Sequence, residues 1–333
     1  CSSGSRQRTL SKPLKQLRRR LCDRAMPEKA PRWKLLFAYL SLYIIWGSTY
    51  LGIRFTVETI PPFLSGGMRF LAAGALLFSA RWCLHRRMPS LRCWWKALWT
   101  SLLPFVVAYG LITPAERHVS SSVAAVIMAT EPAFFCLIGW LCFRGARPTA
   151  KTYTAMALGF TGVCILIMGD PAADLSIKSG SLIWLLMLLA AALAWVFGAF
   201  FAAEPGIDRD PQTASAMQML CGGAVMMALQ YSWSFYTGSY PMLSSFSSRS
   251  LLALLYLIIF GSIVGYTSFL WLMRVEPADR VSTYAFVNPL VAVLLGLSLG
   301  NETLHDNLWF ALPLIISSVA LTIYDQKKQR VPD

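Results

Sequence analysis

Glu131 stands inside a long apolar run, in Thr130-Glu131-Pro132, where few other side chains could do chemistry. Counted at about 1.5 Å per helical residue from Ser121, its carboxyl lies about 15 Å into a hydrocarbon core of roughly 30 Å. A carboxylate at that depth costs on the order of 3 kcal/mol or more unless it is paired or faces a wet cavity. A low dielectric favours the neutral acid, so Glu131 is a candidate to take up and release a proton. The bland alternative is a neutral glutamic acid that bonds a neighbouring helix for structure alone. Pro132 has no N–H and so frees the carbonyl of Met128, and Pro289 does the same for Ala285. The two prolines are candidate hinges, and the freed carbonyls form a polar patch.

Around this carboxylate the remaining candidates are rings, one amide and one cation. Trp46, Tyr50, Tyr109, Trp195, Tyr266 and Tyr284 all lie within or near membrane-depth segments, and Asn288 precedes Pro289 as Glu131 precedes Pro132. Rings at that depth differ from the interfacial belt expected of Trp94, Trp95, Trp233 and Trp309. As cavity walls they would favour flat, amphipathic or cationic solutes through stacking and cation–π contact. For any single ring helix packing is the better reading, whereas as a set around a midplane cavity they are candidate walls, with the symmetric pair Trp46 and Trp195 the strongest. Arg69 sits about five residues into its span. Its long stem is expected to snorkel to the outer interface, in a gating or structural role rather than in contact with substrate.

Other patterns lead nowhere catalytic. Gly296-Leu297-Ser298-Leu299-Gly300 has the form of a hydrolase nucleophile elbow, but it ends an apolar helix instead of turning from strand to helix. It is also a GxxxG motif, like Gly261-Ser262-Ile263-Val264-Gly265, and close helix packing explains both. The eight cysteines include no CxxC pair, and His85, His118 and His305 are far apart, so neither a disulfide framework nor a metal site is expected. No phosphate-binding Walker loop is present, and no cofactor is expected. Asn301-Glu302-Thr303 is a glycosylation sequon, meaningful only in a secretory-pathway cell.

The elements that must position these residues are membrane spans. The 333 residues are 56% apolar and 14% charged, with mean hydropathy +0.53 and formal charge +14. Soluble domains carry about 25% charge, so soluble enzymes, nucleic-acid binders and disulfide scaffolds are poor candidates. Ten spans are predicted: Leu35–Ile53, Leu64–Trp82, Ala97–Thr113, Ser121–Phe143, Thr152–Met168, Leu182–Ala203, Ala214–Phe235, Leu251–Leu272, Val281–Leu299 and Leu308–Tyr324. The first 34 residues carry eleven Lys or Arg and read as a basic, disordered tail on an anionic membrane face, with Met26 an alternative start. Counted with that tail, and with Arg81 at the very end of the second span assigned to the connection it borders, alternate connections hold 25 basic residues against 4, with Arg69 inside the second span. The imbalance predicts both termini, including the short tail 325–333, in the cytoplasm.

The halves 35–168 and 182–324 also resemble each other. Thr130-Glu131-Pro132 stands opposite Val287-Asn288-Pro289, 157 residues later, and at that offset Gly139 falls on Gly296. Ile45-Trp46-Gly47 resembles Ala194-Trp195-Val196-Phe197-Gly198. Five spans per half force the second copy upside down, an inverted repeat typical of secondary transporters. Trp46-Gly47-Ser48-Thr49-Tyr50, Pro61-Pro62-Phe63, Met68-Arg69-Phe70, Ser121-Ser122-Val123-Ala124-Ala125 and Asn288-Pro289, in this order, resemble the drug/metabolite transporter superfamily. More narrowly, they are similar to its ten-helix EamA-type exporters over about residues 33–325. Gly145-Ala146-Arg147-Pro148 departs from the family's Gly-Glu-Arg-Pro, and in Gly300-Asn301-Glu302 the matching Glu is displaced by one.

The chain is therefore expected to be an all-α, ten-helix, inverted-repeat membrane protein. The resemblance implies a transporter, and not an enzyme, that exports amino acids or related metabolites across the plasma or bacterial inner membrane. Proton coupling through Glu131, uncoupled facilitation and lipid flipping are the variants; a sensor or assembly subunit is the rival class. Expected partners are a small solute and the bilayer, with a homodimer open and no nucleic acid.

Overall fold

The computed structural model describes residues 31–85, 88–118, 124, 127–143, 145, 147–168, 181–203, 206–299 and 307–329. The basic tail, most of Ser121–Ala125, Ala146, Gly300, the Asn301-Glu302-Thr303 sequon, His305 and residues 330–333 lie outside the described residues. Among the described residues ten helical segments of 13 residues or more follow one another, with no strand. They are α1 (Arg32–Val57), α2 (Pro62–His85), α3 (Leu91–Ala115), α4 (Glu131–Phe143) and α5 (Ala150–Met168), then α6 (Ser181–Ala202), α7 (Pro211–Thr237), α8 (Ser248–Val275), α9 (Tyr284–Leu299) and α10 (Asn307–Gln329). Among the described residues α1, α3 and α8, with α2 over Pro62–Leu84, are long and apolar enough to cross a membrane, and α4 and Leu186–Ala202 are shorter apolar helices. Large apolar side chains face outward along the bundle, among them Ile44, Leu76, Trp99, Leu141, Phe160, Leu252 and Ile316. An apolar exterior of this kind suits lipid.

Several helices outrun their hydropathy because polar caps extend them. Asp210 caps α7, accepting from the Thr213 N–H at 3.0 Å, and Pro211 follows where a missing N–H costs nothing. The helix stops at Gly238, whose φ of 67° suits glycine. Arg81 of α2 donates to the same Asp210 carboxylate at 2.9 Å. Burial pushes this carboxyl up, but the Thr213 hydrogen bonds and the Arg81 guanidinium outweigh it and hold the group below its ordinary value.

The packing carries the symmetry of the repeat. The two broadest interfaces are α2 with α7 and α5 with α10. Exchanging the first five helices for the last five returns each of these pairs to itself. The same exchange carries α3–α6 onto α8–α1 and α4–α6 onto α9–α1, and all four interfaces are present. In the α2–α7 interface, two glycines seat two methionines. A Cβ on Gly66 would lie 2.7 Å from Sδ of Met226, and one on Gly67 2.6 Å from Sδ of Met227.

The helices nearest the centre are irregular. Wide π-type turns interrupt α1 at Ser41–Trp46, α3 at Leu102–Ala108 and α8 at Leu257–Tyr266. In α3 the cause is visible: Pro104 has no N–H to give. The predicted single helix Ser121–Phe143 is broken. A turn at Ala129-Thr130 precedes Glu131, so Pro132 is the second residue of α4 rather than a mid-helix kink. Pro289 does lie inside its helix, and the predicted span Val281–Leu299 is split, a short turn Ala278–Val281 preceding α9.

Candidate functional site

Glu131 opens α4 and is 3% exposed. Its Oε2 accepts from the Tyr284 hydroxyl at 2.6 Å, and that hydroxyl accepts from the Trp195 indole N–H at 2.8 Å. The chain Trp195–Tyr284–Glu131 thus ties α6 and α9 of the second half to α4 of the first. In Sequence terms Asn288 is the repeat partner of Glu131. It is 2% exposed, lines the same cavity as Tyr50, and keeps an Oδ1 without a partner.

Rings enclose this chain. Trp46 meets Trp195 edge-on at 5.4 Å between centroids, so the two repeat-related indoles touch each other. Trp46 also packs on Tyr284 and on Phe269, both at 5.1 Å. Its indole N–H donates to the carbonyl of Gly261, at 3.1 Å, inside the π-type turn of α8. Gly265 must lack a side chain, because a Cβ there would clash with the Trp46 indole nitrogen. A Cβ on Gly261 would come within 2.8 Å of an Arg69 amino nitrogen. This glycine pair therefore seats side chains of α1 and α2 where those helices pack against α8.

Trp46, Tyr50, Tyr109 and Glu131 from the first half, and Trp195, Tyr266, Tyr284 and Asn288 from the second, line one cavity of about 100 Å³. All three π-type turns border it, through Trp46, Phe105 and Ser262 among others. Such turns recur at functional sites because they leave backbone carbonyls for other partners. The volume is small beside the roughly 300–1,000 Å³ of most ligand pockets. A space of that size holds only a few atoms of a solute. Pro132 and Pro289 flank the lining residues Glu131 and Asn288. A wider hollow of about 590 Å³ lies between the α2–α3 and α6–α7 connections beside Arg81 and Asp210, and none of the predicted site residues faces it.

Arg69 does not snorkel. It is 6% exposed, lines the cavity, donates from Nε to Ser262 Oγ at 2.7 Å, and lies over the rings of Phe70 and Tyr109 at 5.1 and 5.3 Å. Ser262 on α8 and these rings give the guanidinium its partners inside the bundle, so the side chain turns inward and not to the interface. Two further residues escaped the sequence reading. Gln218 on α7 is fully buried, accepts from Tyr266 at 2.9 Å, and donates to Thr100 at 3.0 Å and the Ala202 carbonyl at 3.3 Å. Glu116, at the end of α3, is 3% exposed and neither carboxylate oxygen has a partner. The available signal for both was a polar side chain in or beside an apolar span.

Two sets of five helices, exchanged by symmetry around a shared central cavity, define a membrane transporter of the inverted-repeat class. Residues 32–168 and 182–324 each match the EamA-like transporter family. The chain belongs to that family, within the drug/metabolite transporter superfamily. It is 37% identical over 291 residues to the "Uncharacterized inner membrane transporter YedA" of Escherichia coli (strain K12), covering 86% of this chain and 90% of that protein. Identity is 24% to the "Uncharacterized transporter YvbV" of Bacillus subtilis (strain 168), over 90% and 94% of the two chains. It is 27% to "Protein PagO" of Salmonella typhimurium, over 78% and 83%. A solved crystal structure superposes with TM-score 0.71 over 90% of this chain and 100% of its own, at 17% identity, which shows the shared fold.

Proposed function

We propose that this transporter moves small organic solutes, amino acids or related metabolites, outward across the bacterial inner membrane by alternating access, with Glu131 as its proton site and both termini in the cytoplasm. The observation that carries this reading is the Trp195–Tyr284–Glu131 chain, which joins the two halves through a single carboxylate at the cavity. Gain or loss of a proton on Glu131 changes what its oxygens can offer Tyr284: an ionised carboxylate only accepts, whereas the acid also donates. The bond between halves is thereby linked to protonation. The predicted orientation rests on the 25-to-4 split of basic residues.

The test is efflux of a mixed labelled pool of amino acids and metabolites from proteoliposomes, with and without a pH gradient, for the wild type and Glu131→Gln. Expected is gradient-driven flux in the wild type and at least a tenfold loss of that dependence in the variant. Equal, gradient-insensitive flux in both would make Glu131 structural and the protein an uncoupled facilitator.

A further inference from the structure

A further hollow, of about 600 Å³, lies between α1 and α2 of the first half and α7 and α8 of the second. It shares no lining residue with the central cavity. Its lining is ordered along the bundle axis. Leu77 of α2 and Ile263 of α8 border its deep end, Phe37 and Trp271 its middle, and Trp33 and Lys34 the end where α1 begins. Trp33 and Phe37 are more than half exposed, so the hollow is a groove open to the surroundings of the bundle. From Ile263 to Val275, where α8 ends, the helix rises for twelve residues, about 18 Å. The hydrocarbon of one leaflet is about 15 Å deep, half of a core of roughly 30 Å. The groove thus spans one leaflet, apolar in its depth and cationic at its surface end, with Trp33 at the level where interfacial rings belong.

Charge selects the headgroup. The Lys34 ammonium lies over the Trp33 ring at 5.4 Å, and no carboxylate pairs with it among the described residues. Asp210 also borders the groove, but Arg81 and Thr213 already hold its carboxylate. The charge left unneutralised at this end is positive. Residues 1–30, which lead into α1, add nine more Lys or Arg on the same side of the bilayer. Basic residues at a membrane surface attract anionic lipid.

We propose that this groove binds one anionic glycerophospholipid, its phosphate on Lys34 and one acyl chain laid along Phe37, Trp271 and Ile263. In the orientation given above, the lipid belongs to the cytoplasmic leaflet. It is a resident ligand seated between the halves and not the cargo.

The experiment uses the full chain, purified in detergent and stripped of lipid. Dioleoylphosphatidylglycerol or dioleoylphosphatidylcholine is added, and retained lipid is counted by native mass spectrometry. Expected is one phosphatidylglycerol per chain, with phosphatidylcholine held at least tenfold more weakly. Lys34→Gln should cut that preference to threefold or less, and Lys34→Arg should keep it. Ser268→Trp, which fills the groove from α8, should weaken phosphatidylglycerol at least tenfold. A wild-type protein that holds both lipids equally, or neither, overturns the site without need of a variant. A Lys34→Gln protein that keeps the full preference assigns it to the basic tail and overturns the role of Lys34. Unchanged retention in Ser268→Trp places the chain elsewhere and overturns the groove. If glycerol phosphate at equal concentration displaces the lipid, the site takes a soluble phosphate and the lipid reading fails. None of these outcomes requires a cargo, so the site stands or falls apart from the solute-transport reading.

Discussion

At the scale of single residues, the site turns on hydroxyls that serve two partners at once. Tyr284 gives its proton to Glu131 and accepts the Trp195 N–H. Tyr284→Phe removes both bonds while keeping the ring that packs on Trp46. The variant leaves a buried carboxyl oxygen and an indole N–H open, at about 1–3 kcal/mol for each group left unsatisfied. Chemical unfolding of the detergent-solubilised protein should show that loss, and proteoliposome flux should fall with it. A midpoint unchanged from wild type would mean that water replaces the hydroxyl and that the chain is not what ties the halves. Gln218 does comparable work outside the lining, positioning Tyr266 from α7. Residue types pointed to the rings and to Glu131, because a ring or a carboxylate at mid-span depth is informative by itself. The course of Arg69 was not legible, because its direction depends on Ser262, 193 positions away.

At the scale of elements, caps and interruptions decide what hydropathy leaves open. Hydropathy placed α7 from Ala214, whereas Asp210 and Pro211 start the helix earlier and Gly238 ends it later. The break before Glu131 and the π-type turns are invisible to an apolar count, since the segments around them stay apolar overall; in α8 a partner from another helix, the Trp46 indole N–H, takes up the Gly261 carbonyl inside the turn. Asp210 offers a measurement at this level. Its carboxyl titrates below the ordinary value in the fold, so its contribution is full above the unfolded value of about 3.9 and is lost as pH falls through the depressed one. Asp210→Asn keeps the cap but removes the charge facing Arg81, and should cost up to about 1 kcal/mol at neutral pH. The difference between variant and wild type should shrink when the same unfolding curves are recorded below about pH 4. A gap that persists at that acidity would assign the cost to packing and not to charge.

At the scale of the whole molecule, span number and the repeat were open to the sequence, because the 157-residue offset and the alternating basic loops are long-range patterns that no single contact disturbs. The self-symmetric α2–α7 and α5–α10 interfaces, by contrast, emerge only from packing. The predicted orientation has a direct check in Cys83, exposed near the end of α2. In a variant that keeps Cys83 as its sole cysteine, a membrane-impermeant maleimide should label inverted vesicles and spare right-side-out ones. The opposite pattern would turn the molecule over and with it the inferred direction of export.

The methionines seated on Gly66 and Gly67 have a consequence in redox chemistry. Met226 is fully buried, and its sulfur lies where even one added carbon on Gly66 would collide. A sulfoxide oxygen has no place in that closed interface, and an oxidant can reach the sulfur only while α2 and α7 stand apart. Oxidation would then act as a wedge that bars the return. A protein turning over its cargo should lose activity to dilute peroxide faster than the same protein idle, and Met226→Leu should remove the difference.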